Sequence, residues 1–231
     1  MSSISLNSQF LRSAAQGDLD SLKEHVKAGA NVLVQDDGTI SLGKNALHLA
    51  VANSHESIVQ YLTQPSFKAD DLSNDMDLNG STPLWDLVCN QKISKNIFNL
   101  LLLAGAKFDH INNFYANSLH RLALKPENTP FLKIALDSVD IEKTLNKILH
   151  VSKALVQLIG SYDGRKEKAL NCQMDVEGSD DRLTPLHLAI AHRNKEAVAL
   201  LKDGTDLSLK SGPKSKTLKE ELEEFENSPL P

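Results

Sequence analysis

The stretch Leu183-Thr184-Pro185-Leu186-His187-Leu188-Ala189-Ile190-Ala191 decides the fold of this chain. Thr184 stands before an apolar run and can accept a backbone N–H bond as a helix cap, while Pro185 suits the first helical position, where its missing N–H costs nothing. Leu186 and Ala189 then share a face, and a small residue at Ala189 lets a neighbouring helix approach closely. The arrangement recurs upstream as Asn45-Ala46-Leu47-His48-Leu49-Ala50-Val51, as Thr82-Pro83-Leu84-Trp85-Asp86-Leu87-Val88 and as Asn117-Ser118-Leu119-His120-Arg121-Leu122-Ala123. Asparagine or threonine keeps the capping chemistry each time. Phe10-Leu11-Arg12-Ser13-Ala14-Ala15-Gln16-Gly17-Asp18 reads as a divergent opening copy, since the terminal unit of an array is atypical. With Phe10, Leu47, Leu84, Leu119 and Leu186 as equivalent anchors, the residue numbers differ by 37, 37, 35 and 67, the last close to two ordinary units.

Thr184-Pro185-Leu186-His187 with Ala189 resembles the signature of the ankyrin-repeat family, whose unit is a β-turn followed by two antiparallel helices. The resemblance implies an all-α ankyrin-repeat solenoid of about five repeats, carrying an irregular helical insertion and a C-terminal capping helix. One domain over 1–231 is expected, with repeats near 8–35, 44–72, 79–109, 116–160 (irregular) and 182–208, and a capping helix at 215–227.

Second helices are expected at Leu19 to Lys27, Glu56 to Thr63, Lys95 to Leu103 and Lys195 to Lys202, each with apolar residues three or four apart. Gly29, Gly105 and Gly204 follow three of them, because glycine tolerates the left-handed conformation past a helix end. From about Leu124 to Asp181 the pattern breaks: the stretch is too long for one unit and lacks an anchor for a second. A long helix is expected from a cap at Asp140 to Ile159, followed by a polar loop from Ser161 to Lys168. In the tail, Leu218, Leu222 and Phe225 lie at helical spacing among glutamates, as a cap that solvates the open end of a stack; an acidic helix docking on a partner is the other reading.

Composition narrows the function. A formal net charge of -5 argues against a nucleic-acid backbone as the main target, and no apolar run approaches a membrane span. The start lacks the basic and apolar segments of a cleavable leader. Cys89 and Cys172 have no metal-ligand or CxxC spacing, so reduced thiols are expected, with Cys89 a small buried hydrophobe rather than a nucleophile.

Histidines invite a metal or acid–base reading, yet His48, His120 and His187 all occupy the fourth place of the repeated tetrapeptide, where the ring can bond nearby backbone. His55 falls in the turn between paired helices, and His25, His110, His150 and His192 show no ligand spacing. No phosphate-binding glycine loop and no G-x-S-x-G stand in the sequence. No metal, no cofactor and no catalysis are therefore expected, and any hidden chemistry would have to lie in 124–181.

The resemblance implies recognition of another protein through turn tips and the concave side of the first helices. The candidate contact residues are Asp37, Met76, Asp77, Trp85, Asn113, Phe114, Tyr115, Asp181, Arg182, His192 and Arg193. Phe114 and Tyr115 lead, as two adjacent rings in a polar turn. Trp85 replaces the histidine of the tetrapeptide: exposed it would anchor a partner, buried it would fill space. A cytoplasmic monomer is expected. The degenerate repeats also resemble ankyrin proteins that intracellular bacteria deliver into host cells, and the alternative function is a secreted effector of that type with a catalytic or regulatory feature in 124–181.

Overall fold

The computed structural model describes residues 5–37, 41–137, 170, 171, 173–175, 182–212 and 215–228. The expected helix at Asp140–Ile159, the loop at Ser161–Lys168, Cys172 and Asp181 lie outside them. The chain forms two compact units, 1–107 and 108–231.

The first unit is three helix pairs: α1 (Leu6–Gln16) with α2 (Leu19–Lys27), α3 (Ala46–Ala52) with α4 (Glu56–Leu62), and α6 (Pro83–Cys89) with α7 (Lys95–Leu103). Each first helix packs on the next, α1 on α3 and α3 on α6, and α4 packs on α7 behind them. The anchors Phe10, Leu47 and Leu84 are fully buried, so each pair hides its apolar face against its neighbour. Between the second and third pairs lie a 3-10 turn, Pro65–Phe67, and a short helix, α5 (Ala69–Asn74), neither of which the repeat pattern announces.

The second unit opens with α8 (Ser118–Ala123), a 3-10 turn at Pro126–Asn128 and a helical stretch over 129–137. It continues with α9 (Pro185–Ala191), α10 (Lys195–Leu201) and α11 (Leu218–Asn227). α9 packs on α8, α10 and α11, and the anchors Leu119 and Leu186 are fully buried. Ahead of α9 a short antiparallel pair, β1 (Met174–Asp175) with β2 (Arg182–Leu183), joins Met174 to Leu183. Thr217 caps α11 and Glu220 reaches back to its N–H, a reciprocal pair that fixes where the acidic helix starts. Leu218 and Leu222 are the buried residues of this helix.

Candidate interaction surface

The histidine of the tetrapeptide is structural, and its geometry explains the motif. His48 Nδ1 accepts the N–H of Asn45 at 3.4 Å while Asn45 Oδ1 accepts the N–H of His48 at 2.9 Å, so two unpaired donors of the first turn are satisfied together. His120 with Asn117 and His187 with Thr184 form the same box. The other ring nitrogen reaches the following layer: His48 Nε2 donates to the Ser81 carbonyl at 2.9 Å. Trp85 cannot close such a box, because an indole has a donor and no acceptor; the Trp85 backbone N–H donates to Thr82 Oγ1 at 3.4 Å and no reciprocal bond forms. The indole is half-buried, between the two readings open at the sequence level.

The turn between paired helices ties each layer to the one before it. His55 Nε2 donates to the Ala15 carbonyl at 2.9 Å, Asn90 Nδ2 to Val51 at 3.3 Å, and Asn194 Nδ2 to Ala123 at 3.3 Å. These bonds satisfy the last carbonyls of each first helix, which have no partner within it. They also account for His55 without any ligand role.

Among the described residues of the first unit, Lys44 Nζ pairs with Asp86 Oδ2 across layers at 2.8 Å. Burial pushes the Asp86 carboxyl above its ordinary value, and Lys44 opposes that push. Burial likewise holds His48 below its ordinary value and His187 at about 4, so both rings are neutral at physiological pH. None of the described residues gathers three His, Cys, Asp or Glu side chains that could hold a metal ion, and no described helix is long and apolar enough to cross a membrane.

The candidate contact residues divide. Asp37, Met76, Asn113, Phe114, Tyr115, Arg182, His192 and Arg193 are exposed. Asp77 is not available: it is 7% exposed, and its Oδ1 accepts the N–H groups of Asn79 at 2.8 Å and Ser81 at 2.9 Å. An aspartate that opens a tight turn is consumed by the turn, and this corrects its placement on the surface. Cys89 is a second correction. It is exposed, because the last position of α6 lies on the same side as Trp85 and Asp86, away from Leu84, Leu87 and Val88.

Phe114 and Tyr115 are each 58% exposed. Their turn repeats the one at Asp77: Asn112 Oδ1 accepts from Phe114 at 3.0 Å and from Ala116 at 3.1 Å, as Asp77 does from Asn79 and Ser81. At the left-handed position the earlier turn has Gly80, at φ 69, and this one has Tyr115, at φ 57. A bulky side chain is strained there, so the turn holds a ring outward at a conformational cost. Leu42, at φ 57, is a second exposed apolar residue held this way.

Sequence reasoning missed a cleft of about 540 Å³ in the second unit, lined by Ile190, Arg193, Lys195, Glu221, Glu224 and Phe225 among others. Burial, then the neighbouring Glu224, pushes the Glu221 carboxyl above its ordinary value. Both signs of charge line the walls, so the cleft selects no ligand charge. It forms only when α11 packs on α9, a tertiary event that no local motif encodes.

Comparison with known families agrees with this architecture. Residues 10–112 match ankyrin repeats in three copies, and residues 181–211 match a further ankyrin repeat, together more than half of the chain. Comparison with curated proteins finds no match. The layered helix pairs, the capping boxes and the two matched stretches place this chain in the ankyrin-repeat family.

Proposed function

We propose that the chain is a protein-binding scaffold or adaptor that holds a macromolecular partner on its turn tips and on the exposed ends of its first helices. Ankyrin repeats are generally protein–protein interaction modules, and the family is typically non-catalytic. The observation that carries the reading is Tyr115: an aromatic ring kept in the left-handed region, beside a second exposed ring, where an equivalent turn uses glycine. Glycine closes the equivalent turn without this strain, and a ring exposed at that position offers a partner apolar area to bury. Asp37, Met76, Asn113, Arg182, His192 and Arg193 are exposed contact residues on the same reading, and Trp85 adds the uncovered part of its indole.

The test is cross-linking of the full chain to its cellular partner, with Tyr115→Ala and Phe114→Ala run beside the parent. Loss of the same cross-linked protein from both variants, with unfolding transitions unchanged, is the expected result. Equal capture by parent and variants would remove the turn from the binding surface.

A further inference from the structure

In the first unit, two neighbouring turn tips are joined side by side. Gln35 Nε2 donates to the Met76 carbonyl at 2.8 Å, and the Leu78 N–H donates to the Leu42 carbonyl at 2.8 Å. The joined tips present Leu33, Leu42, Met76 and Leu78, exposed by 38%, 50%, 48% and 64%. Four large apolar side chains from two adjoining turns form a patch of the kind that marks an interaction site, whereas singly scattered ones would need no explanation.

The two segments that carry the patch are predominantly acidic. The segments 31–45 and 75–82 contain Asp36, Asp37, Asp75 and Asp77, and their sole lysine or arginine is Lys44. That lysine is held by Asp86. Asp36 Oδ2 accepts the Ser41 N–H at 2.9 Å and Asp75 Oδ1 the Met76 N–H at 3.1 Å, bonds that hold both carboxyl groups in place beside the patch. The surface is therefore apolar in its middle and acidic around it. An acidic partner would be repelled, and a basic one would meet complementary charge.

Resting on the reading of the turn tips as a protein-binding surface, we infer that the tips of the first unit take a basic amphipathic segment of a partner protein. Its apolar side chains bury against Leu42, Met76 and Leu78, and its lysines or arginines face Asp36, Asp37 and Asp75. Charge sets orientation and on-rate, and apolar burial holds the complex.

The probe is a fluorescein-labelled peptide of alternating lysine and leucine, titrated into the full chain and followed by anisotropy. Two peptides of equal length serve as controls, one alternating glutamate with leucine and one alternating lysine with serine. The lysine–leucine peptide is expected to bind, to weaken as salt rises, and to lose roughly tenfold in affinity in Leu78→Lys and in Asp37→Asn. Met76→Lys gives the same reading should Leu78→Lys fail to fold. Glu223→Gln, on the exposed side of α11, is expected to change nothing.

Equal binding of the lysine–serine peptide would reduce the effect to bulk charge and overturn the inference, as would a loss in Glu223→Gln matching that in Asp37→Asn. Self-association of the parent that Leu78→Lys abolishes would assign the patch to a second copy of this chain instead. Peptide binding untouched by the variants of the first unit but lost in Tyr115→Ala would overturn this inference and leave the wider reading standing. No binding of the peptide, with the cellular partner still lost from Tyr115→Ala, would do the same.

Discussion

His120 Nε2 donates to the carbonyl of Leu183 at 2.9 Å, across 63 positions of sequence. The equivalent bond from His48 to Ser81 spans 33. Both carbonyls belong to the residue just before the next cap, Thr82 or Thr184, so the layer begun by α9 follows directly on the layer begun by α8. The packing of α9 on α8 says the same. Among the described residues, α8 and α9 are therefore neighbouring layers. His120→Ala removes the acceptor for the Asn117 N–H and the donor to Leu183 together, in a fully buried setting. Urea denaturation is expected to show a loss of about 2–3 kcal/mol, with His120→Asn recovering little because its shorter side chain cannot bridge both.

His187 differs from its two counterparts in one respect: its buried Nε2 finds no hydrogen-bond partner among the described residues. Burial alone lowers it to about 4. A histidine that is harder to protonate when folded than when unfolded contributes stability that is complete above the unfolded value near 6.5 and disappears as pH falls through 4. The unfolded state binds more protons across that window, so the unfolding free energy is expected to fall with pH there. His187 alone supplies up to roughly 3 kcal/mol of the change. His187→Gln keeps an acceptor for the Thr184 N–H and cannot titrate, so the variant is expected to show a shallower dependence between pH 6.5 and 4 than the parent. Parallel curves would show that the ring is hydrated in solution.

The turn between paired helices demands a left-handed residue, and three layers meet the demand differently: Gly17 at φ 80, Ser54 at φ 59 and Arg193 at φ 53. Only the glycine is unstrained. Ser54→Gly is expected to raise the unfolding free energy by about 0.5–1 kcal/mol, visible as a rise in melting temperature. Gly17→Ala should act oppositely and more strongly. A Cβ there would lie 2.7 Å from His55 Nδ1, the ring whose other nitrogen holds Ala15. A loss below about 1 kcal/mol for Gly17→Ala would mean that this ring can move aside without giving up its bond.

Much of this architecture was legible because repeats write their packing into spacing. Phe10, Leu47, Leu84, Leu119 and Leu186 occupy fully buried slots, and α2 and α7 have the ends their apolar spacing and following glycines mark. The errors share one origin. Mapping the repeat puts Asp77 at an exposed turn tip and the usual behaviour of free cysteine puts Cys89 in the core, and in both places the local pattern decides otherwise. Asp77-Leu78-Asn79-Gly80 is a turn that consumes its aspartate, and Cys89 stands three positions after Asp86 on the outward side of α6. The pairing of β1 with β2 and the joining of the first unit's turn tips were not legible, since each depends on chain segments that meet only once the layers stack.

Tyr115 separates folding from binding in one position. The Gly80 turn shows that the same Asx-type geometry forms with glycine at the left-handed place, so a ring there is not needed to close the turn. Tyr115→Gly relieves backbone strain on the order of 1 kcal/mol and removes the largest exposed ring of the turn. The expected outcome is a melting temperature equal to or above the parent's, together with a partner affinity reduced by roughly fivefold or more. Tyr115→Phe, which keeps the ring and the strain, is expected to retain most of the binding. A fall in melting temperature for Tyr115→Gly with affinity unchanged would make the ring a packing element, and recognition would then have to be sought on other tips.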